Sequence, residues 1–287
     1  MSLIPLGFWA ASGGISSVDV DYLLIAGGAG GAGGTSNGLG GGGAGGLLYQ
    51  TQTLIPGEAV TVTIGAGGAS LTNGSNSVFV STNAIGGGTG GSFYPAVAAV
   101  SGGSGGGGGG INAAQPGASG TAGQGFAGGA SWGSPSNYNG GGGGGAGEAG
   151  NTDGASHGGD GLLYSEFATA TSSGVSGYYA GGGAGGWGGS PYTRVYWGGQ
   201  GGGGAGGVQV GGQQVGLPGT VNTGSGGGGS YGLNTSAGGN GGSGILIMKY
   251  PIENSFSVSA GLSATTYTSG GFKYTKITAG TGNITLG

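Results

Sequence analysis

The chain has 287 residues, 91 of them glycine, with four basic and eight acidic side chains, a net charge of −4 and no cysteine. That balance lacks the cationic face of a nucleic-acid binder, and Arg194, the lone arginine, cannot supply the arginine-interleaved glycine tracts such binders use. It also excludes disulfides and thiolate metal sites, which fits assembly in a reducing cytoplasm. No apolar run reaches the length of about 18 residues that a bilayer-spanning helix needs.

A glycine fraction near one third is the compositional flag of collagen. Here, however, glycines run four to six deep and prolines number only eight, so the three-residue repeat of a triple helix is missing. Disorder is opposed by a 35% hydrophobic content and few charges. Stacked silk-like sheets remain a rival for the Gly-Ala tracts. An ordered body of this composition must draw its stability from dense backbone hydrogen bonding, because glycine loses more conformational freedom on folding than any other residue. Polyglycine II rods, with three residues per turn and every N–H and C=O pointing outward, meet that demand.

Residues 1–17 are read as an attachment or assembly segment. Their opening lacks a charged n-region and contains Pro5, which argues against a secretory signal. Val18 to Ala26 begins with period-two alternation and becomes apolar on both faces, predicting a strand that runs into the body. Leu47 to Thr53 and Ala59 to Ile64 flank Ile55-Pro56-Gly57-Glu58, where Pro then Gly suits a type II turn, and a hairpin is expected. Within it Val60, Val62 and Ile64 face one way and Thr61 and Thr63 the other. Val78 to Val80 predicts a short strand and Ile245 to Tyr250 a longer one.

Between these lie glycine runs such as 40–46, 105–110, 140–145 and 201–207, parted by separators long enough to reverse the chain. A seven-residue run would form a rod about 20 Å long. Ala29, Ala32 and Thr35 recur every third residue, which places them on one edge of a three-fold rod, an edge expected to face outward while bare glycine edges pack. After residue 252 glycine falls off, and Phe256, Val258, Phe272, Tyr274, Ile277, Ile284 and Leu286 predict three short strands. No window sustains a 3.6-residue period, so essentially no α-helix is expected.

Motifs that could carry catalysis do not hold up. Gly28 to Gly33 fits G-x-G-x-x-G, but the helix that would hold a pyrophosphate is not predicted, and the pattern recurs by chance in such a chain. His157, between Asp153 and Asp160, could be a metal ligand, yet solvated loop residues explain it better; Gly158 to Gly161 is a single, non-tandem fragment of a calcium-binding repeat. One histidine and few carboxylates furnish no triad or acid/base pair. The expectation is a protein that is not an enzyme and has no cofactor or metal.

The blocks Val20 to Gly28, Gly40 to Gly46, Val60 to Gly68, Asn73 to Ser77 and Gly239 to Met248 resemble, in order and spacing, the glycine-rich domain of bacteriophage tail-fibre and virion proteins. A looser likeness exists to the adhesins at the tips of T-even-type phage tail fibres, whose polyglycine II helices form a sandwich with exposed loops. Tyr274 to Leu286 looks like a strand pair that in related phage chains precedes such a domain. The resemblance implies an all-β fold with packed polyglycine II helices. It divides the chain into the N-terminal segment, a glycine-rich domain over 18–250 and a C-terminal β segment over 251–287. It further implies a virion component, assembled in the host cytoplasm, that recognises a host cell-surface glycan or outer-membrane protein, contacts other virion proteins, forms a homo-oligomer and binds no nucleic acid. The alternative is a structural fibre or decoration subunit that touches no receptor.

Aromatic residues cluster in the separators, where a glycine rod gives them no interior to fill. Trp132, Tyr138, Tyr179, Tyr192 and Trp197 are the candidate receptor contacts, since Tyr and Trp offer large rigid contact area at low entropy cost. The competing expectation is that aromatics cap the ends of the lattice; Trp187, inside a glycine run, is expected to pack against a neighbouring rod. Phe272, Tyr274, Ile277, Ile284 and Leu286 are the candidate assembly residues, either donating strands to another subunit or folding back as a cap.

Overall fold

The computed structural model describes residues 17–35, 38–92, 96–110, 114–134, 137–188, 195–210, 213–231 and 236–287. The strands are β1 (Val18–Ile25), β2 (Leu47–Leu54), β3 (Ala59–Thr63), β4 (Ser77–Phe79), β5 (Thr82–Ala84), β6 (Trp132–Ser134), β7 (Asn137–Asn139), β8 (Leu162–Leu163) and β9 (Tyr178–Tyr179). They continue with β10 (Val208–Val210), β11 (Gln213–Val215), β12 (Ile245–Pro251), β13 (Phe256–Val258), β14 (Leu262–Ser269) and β15 (Phe272–Leu286). One short helix, α1 (Ser165–Thr171), lies between β8 and β9. The fold is all-β, and its interior is built in two ways.

The first is a lattice of polyglycine II runs. From run 26–34, Ala26, Ala29 and Ala32 donate their N–H groups to the carbonyls of Gly46, Gly43 and Gly40 at 3.0, 3.0 and 2.8 Å. Gly27 and Gly30 donate to Ser75 and Thr72, and Gly28 and Gly31 to Gly242 and Gly239. A β-ladder repeats every second residue; here the donor direction repeats every third, as a three-fold helix requires. The carbonyls of Gly27, Gly28 and Ala29 accept from Gly87, Gly68 and Gly227, so this run is bonded to three neighbours by donation and three more by acceptance. Run 38–46 is enclosed in the same way, donating to Gly91, Gly141 and Gly227 and accepting from Ala32, Gly107 and Gly183. Such packing tolerates no side chain on the contact edges: a Cβ on Gly28 would stand 2.1 Å from the Ser225 carbonyl oxygen, and one on Gly31 at 2.1 Å from that of Gly228.

The expected outward edge of Ala29, Ala32 and Thr35 does not occur along the run, and of the three Thr35, at its end, is the exposed one. Ala29 and Ala32 are wholly buried, because the run that carries them is surrounded on every side, and their methyls fill the lattice rather than face solvent.

The second interior lies in a curled sheet at one end of the lattice, with strand order β2-β1-β12-β15-β3-β4-β5 and with β13 and β14 also paired to β15. Its curl brings the outermost strands together: Thr82 on β5 donates to the Gln50 side chain on β2 at 3.4 Å, and Tyr22 on β1 bonds both. Inside the curl Val20, Tyr22, Leu24, Val62, Phe79, Met248 and Ile284 form one core. Outside it Leu23, Ile25, Leu47, Ile245 and Ile247 pack under Phe167 of α1 and Tyr179. β1 is therefore apolar on both faces because both are buried, each Leu or Ile contributing about 1.5–3 kcal/mol. Val60, Val62 and Ile64 are buried while Thr61 is exposed, as their alternation predicts.

Two expectations are corrected here. The turn at Ile55 to Glu58 forms, with a 3.2 Å bond from Glu58 N–H to the Ile55 carbonyl and Gly57 at φ 82°, but its strands are not a hairpin. β2 pairs with β1 over eight positions, more than the five residues β3 could offer it, and β3 pairs with β15. Second, residues 272–286 form one long strand rather than two short ones, its N-terminal half between β12 and β14 and its C-terminal half between β3 and β13. Of the candidate assembly residues, Tyr274, Ile277, Ile284 and Leu286 are buried in this chain's own cores, and Phe272 is 38% exposed beside Lys249. Within the chain these residues fold back onto its own sheet, one of the two arrangements expected of them. The expectation of essentially no α-helix stands: among the described residues α1, of seven residues, is the one helix, too short for its period to be read from sequence.

Candidate functional site

Run 26–34 leaves the sheet at Ile25 and ends at Gly34, which bridges Ser236. At that far end stand the run ends Gly34, Gly38, Ser92, Gly110, Asn139, Gly188, Tyr196, Gly207 and Tyr231. Backbone bonds fix these points at a common level: Gly110 to Gly38, Gly140 to Gly186, Gly186 to Leu39, and Gly207 to Gly229. One end of the lattice is closed by the sheet. The other carries the run ends named here.

Aromatic and polar side chains from separate reversals meet there. The β6–β7 ribbon sets Trp132 opposite Asn139, and Asn139 bridges Trp187 on the run 180–188. The Asn139 side-chain amide donates to the Tyr196 hydroxyl at 3.2 Å. The Tyr196 ring lies 5.6 Å from His157 and 6.1 Å from Trp187, both between ring centroids. Trp197 follows, its carbonyl accepting the Gly158 N–H at 3.1 Å. Trp187 is 6% exposed and packs into the lattice as expected, whereas Trp132 and Trp197 are 65% and 66% exposed.

Two buried oxygens in this cluster lack partners. Asn139 Oδ1 and Ser156 Oγ have no hydrogen bond, and with Ser104 Oγ they are the side-chain atoms so placed among the described residues. The Ser156 carbonyl accepts Gly185 N–H at 2.8 Å, which sets this residue two positions from Trp187. A buried polar atom left unpaired costs about 1–3 kcal/mol, so two in one cluster mark a place built for something more than packing. On the same end a cavity of about 530 Å³ opens among Ser92, Val97, Gly109, Gln115 and Pro116.

The candidate receptor contacts divide accordingly. Trp132, Tyr138 and Trp197 stand at the loop-bearing end, with Tyr138 half-buried. Tyr192 lies outside the described residues. Tyr179 does not belong with them: it is fully buried under the sheet end, its hydroxyl 2.7 Å from Ser173, because the β8–β9 pairing turns it inward and Tyr178 outward. Asn139 and Ser156 were not signalled by sequence, and His157 was weighed only as a metal ligand, since residues that meet from distant parts of the chain share no spacing.

Among the described residues the carboxylates of Glu148, Asp153 and Asp160 are the group that could hold a cation, their oxygens within 4.8 Å of one another. Both Asp160 oxygens already accept from Gln200, at 2.6 and 2.7 Å. Burial, with the neighbouring Asp153 and Asp160 charges adding, pushes the Glu148 carboxyl above its ordinary value. His157 stands apart from this group, its ring edge-on to Tyr196. Gly28 to Gly33 lies inside the lattice, hydrogen-bonded to neighbouring runs.

Compared with known proteins, residues 9–251 match the family described as the glycine-rich domain. No curated protein and no solved structure matches the chain.

Proposed function

The chain belongs to the glycine-rich domain family, and we propose that it is a recognition component of a bacteriophage virion, a tail-fibre adhesin that reads the host surface through loops on a polyglycine core. The observation that carries this reading is the polarity of the lattice. Its runs have no side chains with which to distinguish ligands, and at the end opposite the sheet stand two tryptophans about two-thirds exposed, Trp132 and Trp197. Function concentrates on loops held by a well-bonded scaffold. The sheet end is then the side that faces other virion proteins, and the host partner is a surface glycan or outer-membrane protein.

Adsorption of the labelled protein to a panel of bacterial cells tests the proposal. Trp132→Ala and Trp197→Ala should each reduce adsorption severalfold while leaving stability within about 0.5 kcal/mol, as exposed substitutions do. Adsorption to no strain, or undiminished adsorption by both variants, leaves a structural fibre subunit without receptor contact as the better account.

A further inference from the structure

We infer that two copies of this chain join edge to edge through β14, their strands antiparallel about a two-fold axis at Thr266. The starting point is a strand with one open side. β14 holds eight residues, and among the described residues β15 is its one strand partner. The other long strands of the sheet are enclosed: β1, β3, β12 and β15 have neighbours on both sides, and the outer side of β2 meets β5 through Gln50 and Thr82. Six of the eight β14 residues are exposed, so among the described residues no segment covers the open side. Exposed edges are ordinarily kept from pairing by a charge or a proline, and β14 carries neither.

The hairpin geometry fixes which backbone groups are free. Gly270 and Gly271, at φ 57° and 82°, form a two-residue turn closed by Ser269 and Phe272. The closing pair exchanges hydrogen bonds, and so does every second pair below it, Tyr267 with Tyr274 and Thr265 with Lys276. The pairs between them have closer side chains and backbone groups turned outward; accordingly the Thr266 and Thr275 hydroxyls meet at 2.9 Å. The N–H and C=O of Ala264, Thr266 and Thr268 thus point away from β15. This set is its own complement. In an antiparallel pair centred on Thr266, that residue exchanges two bonds with its copy and Ala264 does so with Thr268 on either side, so every outward donor meets an outward acceptor. The side chains set opposite one another are Thr266 with Thr266 and Thr265 with Tyr267, neutral pairs of the kind that support a sheet. A two-fold interface needs one self-complementary patch, which is why the occupant is a second copy. The buried residues of β15 stay inside each copy, so this assembly asks for no exchange of strands.

Sedimentation of the full chain, from micromolar to millimolar concentration, is the test. The parent should pass from monomer to dimer and stop there, because the pairing consumes the open edge of each copy. Thr266→Pro should weaken association about tenfold or more, since the N–H it removes is one that β15 does not use. Its melting temperature shows that the fold is kept. Charge on the axis discriminates further. Thr266→Lys and Thr266→Glu each set like charges against their own copies and should stay monomeric where the parent is dimeric, while an equal mixture of the two should recover the dimer. Recovery requires that residue 266 face itself, and a loss of folding would not produce it. A parent that is monomeric throughout overturns the inference. So does a dimer indifferent to Thr266→Lys, a mixture of the two folded variants that stays monomeric, or association that continues past two copies.

Discussion

Lys249 Nζ lies 2.7 Å from Glu166 Oε1, joining β12 in the middle of the sheet to the first turn of helix α1. The Tyr274 hydroxyl donates to the same carboxylate oxygen at 2.7 Å. Helix α1 thus meets the sheet through one carboxylate as well as through Phe167, whose ring lies 6.0 Å from that of Tyr274.

This contact sets a dependence on pH. The hydrogen bond from Lys249, with that from Tyr274 adding, holds the Glu166 carboxyl below its ordinary value of 4.5. A depressed carboxyl contributes stability above the unfolded value, and the contribution is lost as pH falls through the lowered folded value. Because Glu166 is 56% exposed, the effect is small, about 0.5 kcal/mol, and local. Amide exchange at Ala168 should therefore quicken as pH drops below 4.5, after correction for intrinsic rates, while β1 stays protected. In Glu166→Gln that additional acid-dependent loss should vanish. Equal pH profiles in the two proteins would refute the assignment.

The lattice predicts that a single methyl is destructive. In Gly31→Ala the new Cβ meets the Gly228 carbonyl at 2.1 Å, and the atom in its way is backbone, which cannot swing aside. Overpacking of this kind should cost about 3 kcal/mol or more. Gly204→Val should behave similarly, since its Cβ would lie 2.0 Å from the Leu217 carbonyl oxygen. Thermal unfolding of both variants checks this; a melting temperature equal to that of the parent would rule out rods packed this closely.

Strand β15 is paired along its length with β12, β14, β3 and β13. Removing residues 253–287 should therefore uncover the edges of β12 and β3 and open the inner core around Ile277 and Ile284. Exposed apolar edges recruit other chains. The truncated protein should aggregate, seen by light scattering, where the full chain does not. A folded, monodisperse truncation would return residues 253–287 to a role in assembly.

What the sequence discloses and what it hides have physical causes. Strands β1, β3 and β12 are legible because each carries β-branched or large apolar residues at a two-residue period or in an unbroken run, and local pattern alone implies burial. Pairing is different. That β3 joins β15, more than 200 residues away, depends on the curl of the sheet, which no local spacing records. The glycines at 280 and 282 read as a turn between strands, yet they sit inside β15, Gly280 at φ 101° where a side chain would be strained. At the loop-bearing end, the exposure of Trp132 and Trp197 follows from their place in separators. The fate of Tyr179 does not: two adjacent tyrosines in a strand must point opposite ways, and only the sheet decides which is buried. Asn139, His157 and Tyr196 meet because the runs between them place them at one level.

The three-residue recurrence of donors within each run constrains how such a chain can change its length. Inserting one or two residues into run 26–34 would rotate every later N–H by about 120° or 240°, redirecting bonds meant for 38–46 toward the runs at 72–76 or 236–244. Inserting three would preserve each assignment and push the reversal outward by about 9 Å. Runs in this architecture are therefore extensible in triplets, a grammar imposed by hydrogen-bond direction, whereas the reversals obey no such rule and can gain or lose residues singly. Divergence in loop length and conservation of run length modulo three would then arise from the same backbone geometry.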